Sequence, residues 1–153
     1  MGISIAGAGC CLMDIIHPDV DFSSASFKAA RSRKDGDGGL SPGRLVFAED
    51  AERYTGRQFP DVLAELVGKD SIPTENVGGP SVVALIHAAQ MLEEENAAVA
   101  FHGARGADPL GKRLEALLRR MPVDLRGYRV LEGRTPSTFV LSDPRWDDGR
   151  GER

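Results

Sequence analysis

Gly103-Ala-Arg-Gly106-Ala-Asp108-Pro-Leu-Gly111 is the stretch whose reading decides the fold. The apolar run Ala97-Ala-Val-Ala-Phe101 before it reads as a buried strand that ends at Gly103. The glycines allow tight backbone turns, and Asp108 stands where a side-chain oxygen can cap a helix starting at Pro109. Leu110, Leu114, Leu117, Leu118 and Met121 then mark an amphipathic helix, and Pro122 follows its end. Asp108 is the only acid in the stretch. Its place before Pro109 predicts a structural cap rather than a general base.

On the amino-terminal side, Gly78-Gly79-Pro80-Ser81 leads into a stronger helix over 81–92, with Val82, Leu85, Ile86 and Ala89 on one stripe. Paired glycines let backbone amides approach a ligand, and a helix start favours electronegative groups, although Gly-Gly-Pro is also an ordinary turn. Glu93, Glu94 and Glu95 at the far end oppose the macrodipole. Ile3 to Gly9 reads as a buried first strand that Cys10 to Ile16 continues, with Asp14 near its end. From His17 to Gly43 the chain turns to Ser, Lys, Arg, Asp and Gly, which predicts a loop or surface excursion. Its basic residues Lys28, Arg31, Arg33 and Lys34 read as a solvated face. A short helix is expected over Asp61–Val67, ended by Gly68, and a turn region over Ser71–Pro80. Tyr128–Leu131 and Ser137–Leu141 read as two further strands. That order of elements predicts an α/β protein with a mainly parallel sheet.

Composition narrows the function classes. The 153 residues are 41% hydrophobic and 27% charged, as in ordinary globular proteins. The net charge of −4 argues against a nucleic-acid partner. The opening run Met1–Met13 is too short for a membrane span and has no charged leader, so a soluble, cytoplasmic protein without a membrane partner is expected. Cys10 and Cys11 are adjacent and cannot staple distant parts of the chain. As neighbours in a strand they point to opposite faces, which disfavours a metal site with His17. His87 and His102 lack a patterned nucleophile and read as packing residues. Gly7-Ala-Gly9-Cys-Cys-Leu12 begins like a dinucleotide fingerprint, but Leu12 replaces the third glycine and no helix pattern follows.

Taken in order, these pieces resemble the ribokinase-like (PfkB) carbohydrate kinase family. The resemblance rests on Gly9 with Asp14, on the pair Gly78–Gly79, and on the signature Gly103, Gly106, Asp108 and Gly111. It continues through the Thr-bearing stretch Thr135-Pro-Ser-Thr138-Phe-Val-Leu-Ser-Asp143 to a closing turn at Gly151-Glu152-Arg153. It implies a three-layer α/β fold with a small β lid built from an excursion at about 17–60. It also implies transfer of the ATP γ-phosphoryl group, with Mg2+, to a hydroxyl of a sugar or nucleoside. Asp14, Gly78 and Gly79 would contact that substrate, Thr138 would lie beside the lid, and a homodimer through lid strands is a family trait.

Two departures bear on function. The family places Asn five residues after the first Gly of the pair, where this chain has Val83. The second family signature, which ends in Gly-Ala-Gly-Asp and supplies the catalytic base and anion hole, has no counterpart: the nearest run is Gly7-Ala8-Gly9-Cys10. The resemblance therefore implies an amino-terminal half with part of the substrate site, no catalytic residue, and no ATP or Mg2+ bound by this chain alone. The alternative is a non-catalytic sugar-binding remnant or module that acts with a partner chain.

Overall fold

The computed structural model describes residues 2–146; the expected turn at Gly151-Glu152-Arg153 lies outside them. In chain order the elements begin with β1 (Ser4–Ala8), β2 (Leu12–His17), α1 (Ala25–Ala30), α2 (Ala48–Thr55), α3 (Phe59–Val67) and β3 (Thr74–Gly78). There follow α4 (Pro80–Met91), β4 (Ala98–His102), β5 (Ala104–Gly106), α5 (Pro109–Leu118), β6 (Arg129–Leu131) and β7 (Ser137–Leu141). They fall into two compact units. One holds the chain up to Ile16 with Thr74–Val140, the other His17–Pro73 with the chain from Leu141 onward.

In the first unit β1 and β4 pair in parallel, from Ser4↔Ala98 to Ala8↔His102. β5 and β6 also pair in parallel, from Ala104↔Arg129 to Gly106↔Leu131. β2 lies between β3 and β7 and is antiparallel to β3, from Leu12↔Gly78 to Ile16↔Thr74. The result is a mixed α/β architecture with mainly parallel pairing. Its core gathers Met13, Val82, Phe101, Leu114 and Leu118, all fully enclosed, with the α4 stripe Val82, Leu85, Ile86 and Ala89 buried as its spacing predicts. α4 stops at Met91 with Leu92 as its C-cap, so Glu93, Glu94 and Glu95 follow directly after the helix end.

The excursion differs from a loop or a β lid. Residues 18–73 carry three helices, and their β pairing is confined to a bridge between Arg31 and Leu40. Ser24 caps α1 by accepting from the Phe27 amide at 3.1 Å. Val20, Phe22, Phe27, Ala30, Val62 and Leu66 form a separate small core, with Phe22 stacked on Phe27 at 4.2 Å. Lys28, Arg31, Arg33 and Lys34 are all exposed, as a solvated face requires, and Arg31 lays its guanidinium 5.1 Å from the Trp146 ring. Asp143 accepts from the Phe22 amide at 2.9 Å, which ties the end of this unit back to its beginning.

Strands predicted as one prove to be two. β1 and β2 belong to different sheets, separated at Gly9-Cys10-Cys11: β1 pairs with β4, a ladder that the Gly9 amide extends to the His102 carbonyl at 3.2 Å, whereas β2 pairs with β3 and β7. β3 replaces the expected turn, and the three-residue β5 follows Gly103 where a turn alone is expected. Among the described residues no helix is long and apolar enough to cross a membrane.

The strand–helix junction after β5 is held by one carboxylate. Asp108 Oδ1 accepts from the Gly111 amide at 2.8 Å, capping α5, and also from the Thr135 hydroxyl at 2.6 Å. Its Oδ2 accepts from the Thr135 amide at 2.9 Å, while the Thr135 hydroxyl oxygen accepts from the Gly106 amide at 3.1 Å. The signature glycines make room for this knot. A Cβ on Gly106 would lie 2.5 Å from the Gly133 carbonyl and 2.6 Å from the Thr135 nitrogen. One on Gly111 would lie 2.5 Å from the Gly106 carbonyl and from the Thr135 hydroxyl. Beside the knot, Arg105 donates to Glu115 at 2.7 Å and to its own neighbour's carbonyl, Gly106 O, at 2.8 Å.

Two outcomes follow for stability. Gly106→Ala should cost about 1–3 kcal/mol, because the obstructing atoms are backbone and cannot swing away; chemical denaturation reads this, and an unchanged midpoint would mean the turn is slack. Asp108→Ala should lower the Tm by roughly 2–8 °C near neutral pH. The donors from Thr135 and Gly111 hold the Asp108 carboxyl down at about 2, against an ordinary 3.8 in the unfolded chain. Its contribution is therefore present above the ordinary value and lost as pH falls through about 2. The Tm gap between wild type and variant should stay constant above that window and close within it.

Candidate functional site

Asp14 lies in β2, two residues after Leu12, so both side chains leave the same face of the strand while Met13 points into the core. The paired strand places Gly78 opposite Leu12 and Asn76 opposite Asp14. With no side chain on Gly78, Asp14 and Leu12 lean together over its bare Cα. A Cβ there would collide with Asp14 Oδ2 and with Leu12 Cδ1, and would sit 2.6 Å from Asp14 Cγ. Gly78 is thus required for close approach.

Gly79 follows with φ 107°, a conformation suited to glycine, and starts α4 with no side-chain cap. A Cβ on it would lie 2.6 Å from the Cys10 carbonyl, so the Gly9–Cys10–Cys11 turn packs directly on the helix start. The expected substrate residues Asp14, Gly78 and Gly79 are therefore brought together. Thr138 lies on β7, on the other side of β2 from β3.

The Asp14 carboxylate differs from its neighbours in lacking a donor. Among the described residues no hydrogen bond or ion pair reaches it. Partial burial pushes its pKa up from the ordinary value, with desolvation as the cause. An acceptor-only group that has lost water without gaining a partner is chemically disposed to take hydroxyl or amine donors from a ligand. Sequence reasoning found Asp14 and the glycine pair but missed Leu12. The i, i+2 alternation along β2 was the available signal.

The signature residues have another role. Gly103, Gly106, Asp108 and Gly111 are structural: Gly103 receives the Arg129 amide on its carbonyl at 2.9 Å, and the other three form the Thr135 knot. Thr135, 5% exposed, is the knot's hub. Because the α5 start is already filled by the Asp108 carboxylate, it offers no room for a phosphate.

Nor do residues 7–9 form a nucleotide cradle. Leu85 covers Gly7, the Ser81 side chain covers Gly9, and the next element is a strand. Cys10 is exposed and Cys11 buried, as opposite faces require; burial pushes the Cys11 thiol pKa up, and the Tyr128 hydroxyl lies 3.7 Å away. Among the described residues no group of three or more His, Cys, Asp or Glu is placed to hold a metal ion.

No protein-family model matches the chain, and no curated protein matches it. Solved structures do. Ribokinase from Thermotoga maritima superposes with a TM-score of 0.51 at 14% identity, over 94% of this chain and 33% of that one. Ribokinase from Cryptococcus neoformans var. grubii serotype A, in complex with ADP, gives 0.50 at 13% identity, over 96% and 33%. A protein of Agrobacterium tumefaciens described as a candidate ribokinase gives 0.51 at 15%, over 96% and 34%. The chain spans about a third of the length of these structures, less than the half that the signatures imply. At such identities the likeness concerns architecture: the chain has a partial ribokinase-like α/β fold.

Proposed function

We propose that this chain is the substrate-binding, amino-terminal part of a PfkB-type kinase that transfers the ATP γ-phosphoryl group to a sugar or nucleoside hydroxyl. The observation that carries the reading is the unpaired Asp14 carboxylate over Gly78, at the start of α4, within a partial ribokinase-like fold. A carboxylate can accept two hydroxyl donors at once, and hydrogen bonds to a charged group are stronger than neutral ones. The ADP in one structural neighbour supports a nucleotide as phosphoryl donor. In this proposal ATP and Mg2+ are held by a carboxy-terminal part, which also supplies the base and the anion hole.

The β1–β4 sheet supports an incomplete site-bearing unit. Val99 and Phe101 are buried and Ile5 and Gly7 half-buried on one face, whereas Ser4, Ala6, Ala8, Ala98 and His102 on the other are exposed. Parallel sheets are normally covered on both faces. The same open face favours the second reading, a non-catalytic sugar-binding module that joins a partner chain. The two readings part on what the partner provides.

The chain alone should neither bind ATP nor phosphorylate any sugar or nucleoside, because phosphoryl transfer needs a positioned base and preorganised donors for the transferred group. Calorimetry with ATP and a coupled ADP-release assay check this. Co-expression with the carboxy-terminal part of a PfkB kinase should restore activity if the kinase reading holds; sugar binding without turnover in every such pairing would favour the module. Turnover by the 153-residue chain alone, abolished by Asp108→Asn, would overturn both the boundary of the site and the structural role of Asp108.

In a reconstituted kinase, Asp14→Ala should lower kcat/KM by about 1.5–3 kcal/mol of transition-state binding, the range for hydrogen bonds to a charged group. Unchanged kinetics would remove Asp14 from the site.

A further inference from the structure

A cavity of about 320 Å3 opens in the first unit where β4 runs on into β5, and none of the residues around Asp14 lines it. The backbone makes it. Ala100 bridges to Asp124 and Ala104 pairs with Arg129, so four steps along β4 and β5 face five steps along the neighbouring chain. The extra residue bulges out in the turn 125–128, closed by the Tyr128 amide on the Leu125 carbonyl at 2.9 Å. Leu125 and Tyr128 anchor this turn by packing against the core, with the Tyr128 ring 6.0 Å from that of Phe101. Arg126, Gly127 and Arg129 line the cavity, together with Ala100, His102 and Asp124. β4 pairs with β1 along its other edge, so the cavity lies at the far edge of the open sheet face.

The glycine of the turn makes room for the histidine. A Cβ on Gly127 would lie 2.6 Å from His102 Cε1 and 2.7 Å from its Cγ, while the Gly127 φ is not positive, so what glycine supplies there is space. The His102 imidazole thus packs on bare backbone, and among the described residues no hydrogen bond reaches its ring. Asp124 is the one acid lining the cavity, and both its oxygens are taken. Oδ1 accepts from the Arg126 amide at 2.9 Å and Oδ2 from Arg126 Nε at 2.6 Å. Arg129 Nη1 donates to the Arg126 carbonyl at 3.0 Å, which leaves its Nε and Nη2 unbonded among the described residues. Two guanidiniums against one carboxylate give the cavity a net positive charge.

Only acceptors can satisfy the donors that remain on Arg126, Arg129 and His102. A carboxylate brings two oxygens and one charge; a phosphoryl group brings three oxygens around one centre and up to two charges. The volume is about ten times the ~30 Å3 that a water molecule takes in the liquid, more than a bare oxyanion fills. The small residues Ala100 and Gly127 leave that extra space beside the donors. We propose that this cavity binds a phosphate monoester, its phosphoryl oxygens on Arg129, Arg126 and His102 and its organic part over Ala100 and Gly127. The site is independent of the kinase reading.

The test follows the amide NMR spectrum of the isotope-labelled full chain during titration with phenyl phosphate, glycerol 3-phosphate, acetate and phenol. Both phosphates should shift the amides of Gly103, Arg126, Gly127 and Arg129 along one saturating curve, with a millimolar or lower Kd. Acetate should bind at least about fivefold more weakly, for want of the third oxygen and second charge, and phenol should shift nothing. Arg129→Gln should weaken both phosphates about tenfold, the loss expected for hydrogen bonds to a charged group. Arg129→Lys, which keeps the charge without the planar fork, should recover part of it. His102→Gln, at an exposed side chain, reads the same site should Arg129→Gln fail to fold; unchanged amide shifts away from the cavity establish folding. Shifts centred on the exposed basic face at Lys28, Arg33 and Lys34, or acetate binding as tightly as the phosphates, would overturn the inference. So would absence of binding, or affinity indifferent to these substitutions in folded variants. Each of these results leaves the kinase reading standing, because Asp14 takes no part in them.

Discussion

The first unit depends on the hold of Asp108 on Thr135. One carboxylate joins three pieces of chain: the end of β5, the start of α5 and the approach to β7. Without it, the Gly111 amide at the helix start and the Thr135 amide, half-buried or deeper, would need other acceptors. The glycines on either side follow from that requirement. The chain at 133–135 can reach Asp108 only if it runs against Gly106 and Gly111, and any Cβ at those positions would stand in its way. Arg105 and Glu115 strengthen the same junction from the helix side, with the Glu115 pKa lowered mainly by the Arg105 hydrogen bond.

Elements with a strong hydrophobic period were legible in the sequence. Val82, Leu85, Ile86 and Ala89 could form only one buried stripe at helical spacing, and Pro109 after Asp108 marked a helix start. β3 was not legible because Thr74, Glu75 and Asn76 are exposed, and its identity comes from pairing with β2 rather than from burial. β5 is too short to show alternation. In the excursion, α2 buries only Ala51, so charge dominated its local pattern. Six residues of which five are Ser, Lys or Ala do not by themselves specify a helix at α1; Phe27 stacking on Phe22 does. The break between β1 and β2 was hidden by the apolar continuity of Cys10–Ile16, and only their different partners, β4 for β1 and β3 with β7 for β2, reveal it.

Legibility of the site followed a similar division. The glycine pair and Asp14 stood out because their residue types are unusual where they occur. Leu12 did not, since an aliphatic residue in a strand reads as core; its partial exposure beside a carboxylate is a property of the Gly78 pairing. Thr135 gave no signal at all. A buried threonine becomes important only when its hydroxyl is placed between an amide donor and a carboxylate acceptor, which requires both ends of a 27-residue separation.

The contrast between Asp108 and Asp14 argues for their roles more strongly than either does alone. Both are aspartates beside glycines at the start of a helix, and residue type cannot separate them. Donor supply can. Asp108 receives the Thr135 hydroxyl, the Thr135 amide and the Gly111 amide, and its pKa falls to about 2. Its acceptor capacity is committed to the fold, so a ligand would have to displace protein donors to reach it. Asp14 has lost solvent and gained nothing, and its pKa moves the other way. Fold stability alone gives no reason to keep an unpaired carboxylate there, because asparagine would avoid the desolvation of a charge. A ligand that supplies donors provides that reason. Such a ligand must also tolerate Leu12, and the strand pairing that strips Gly78 of a side chain is what sets both conditions at one point.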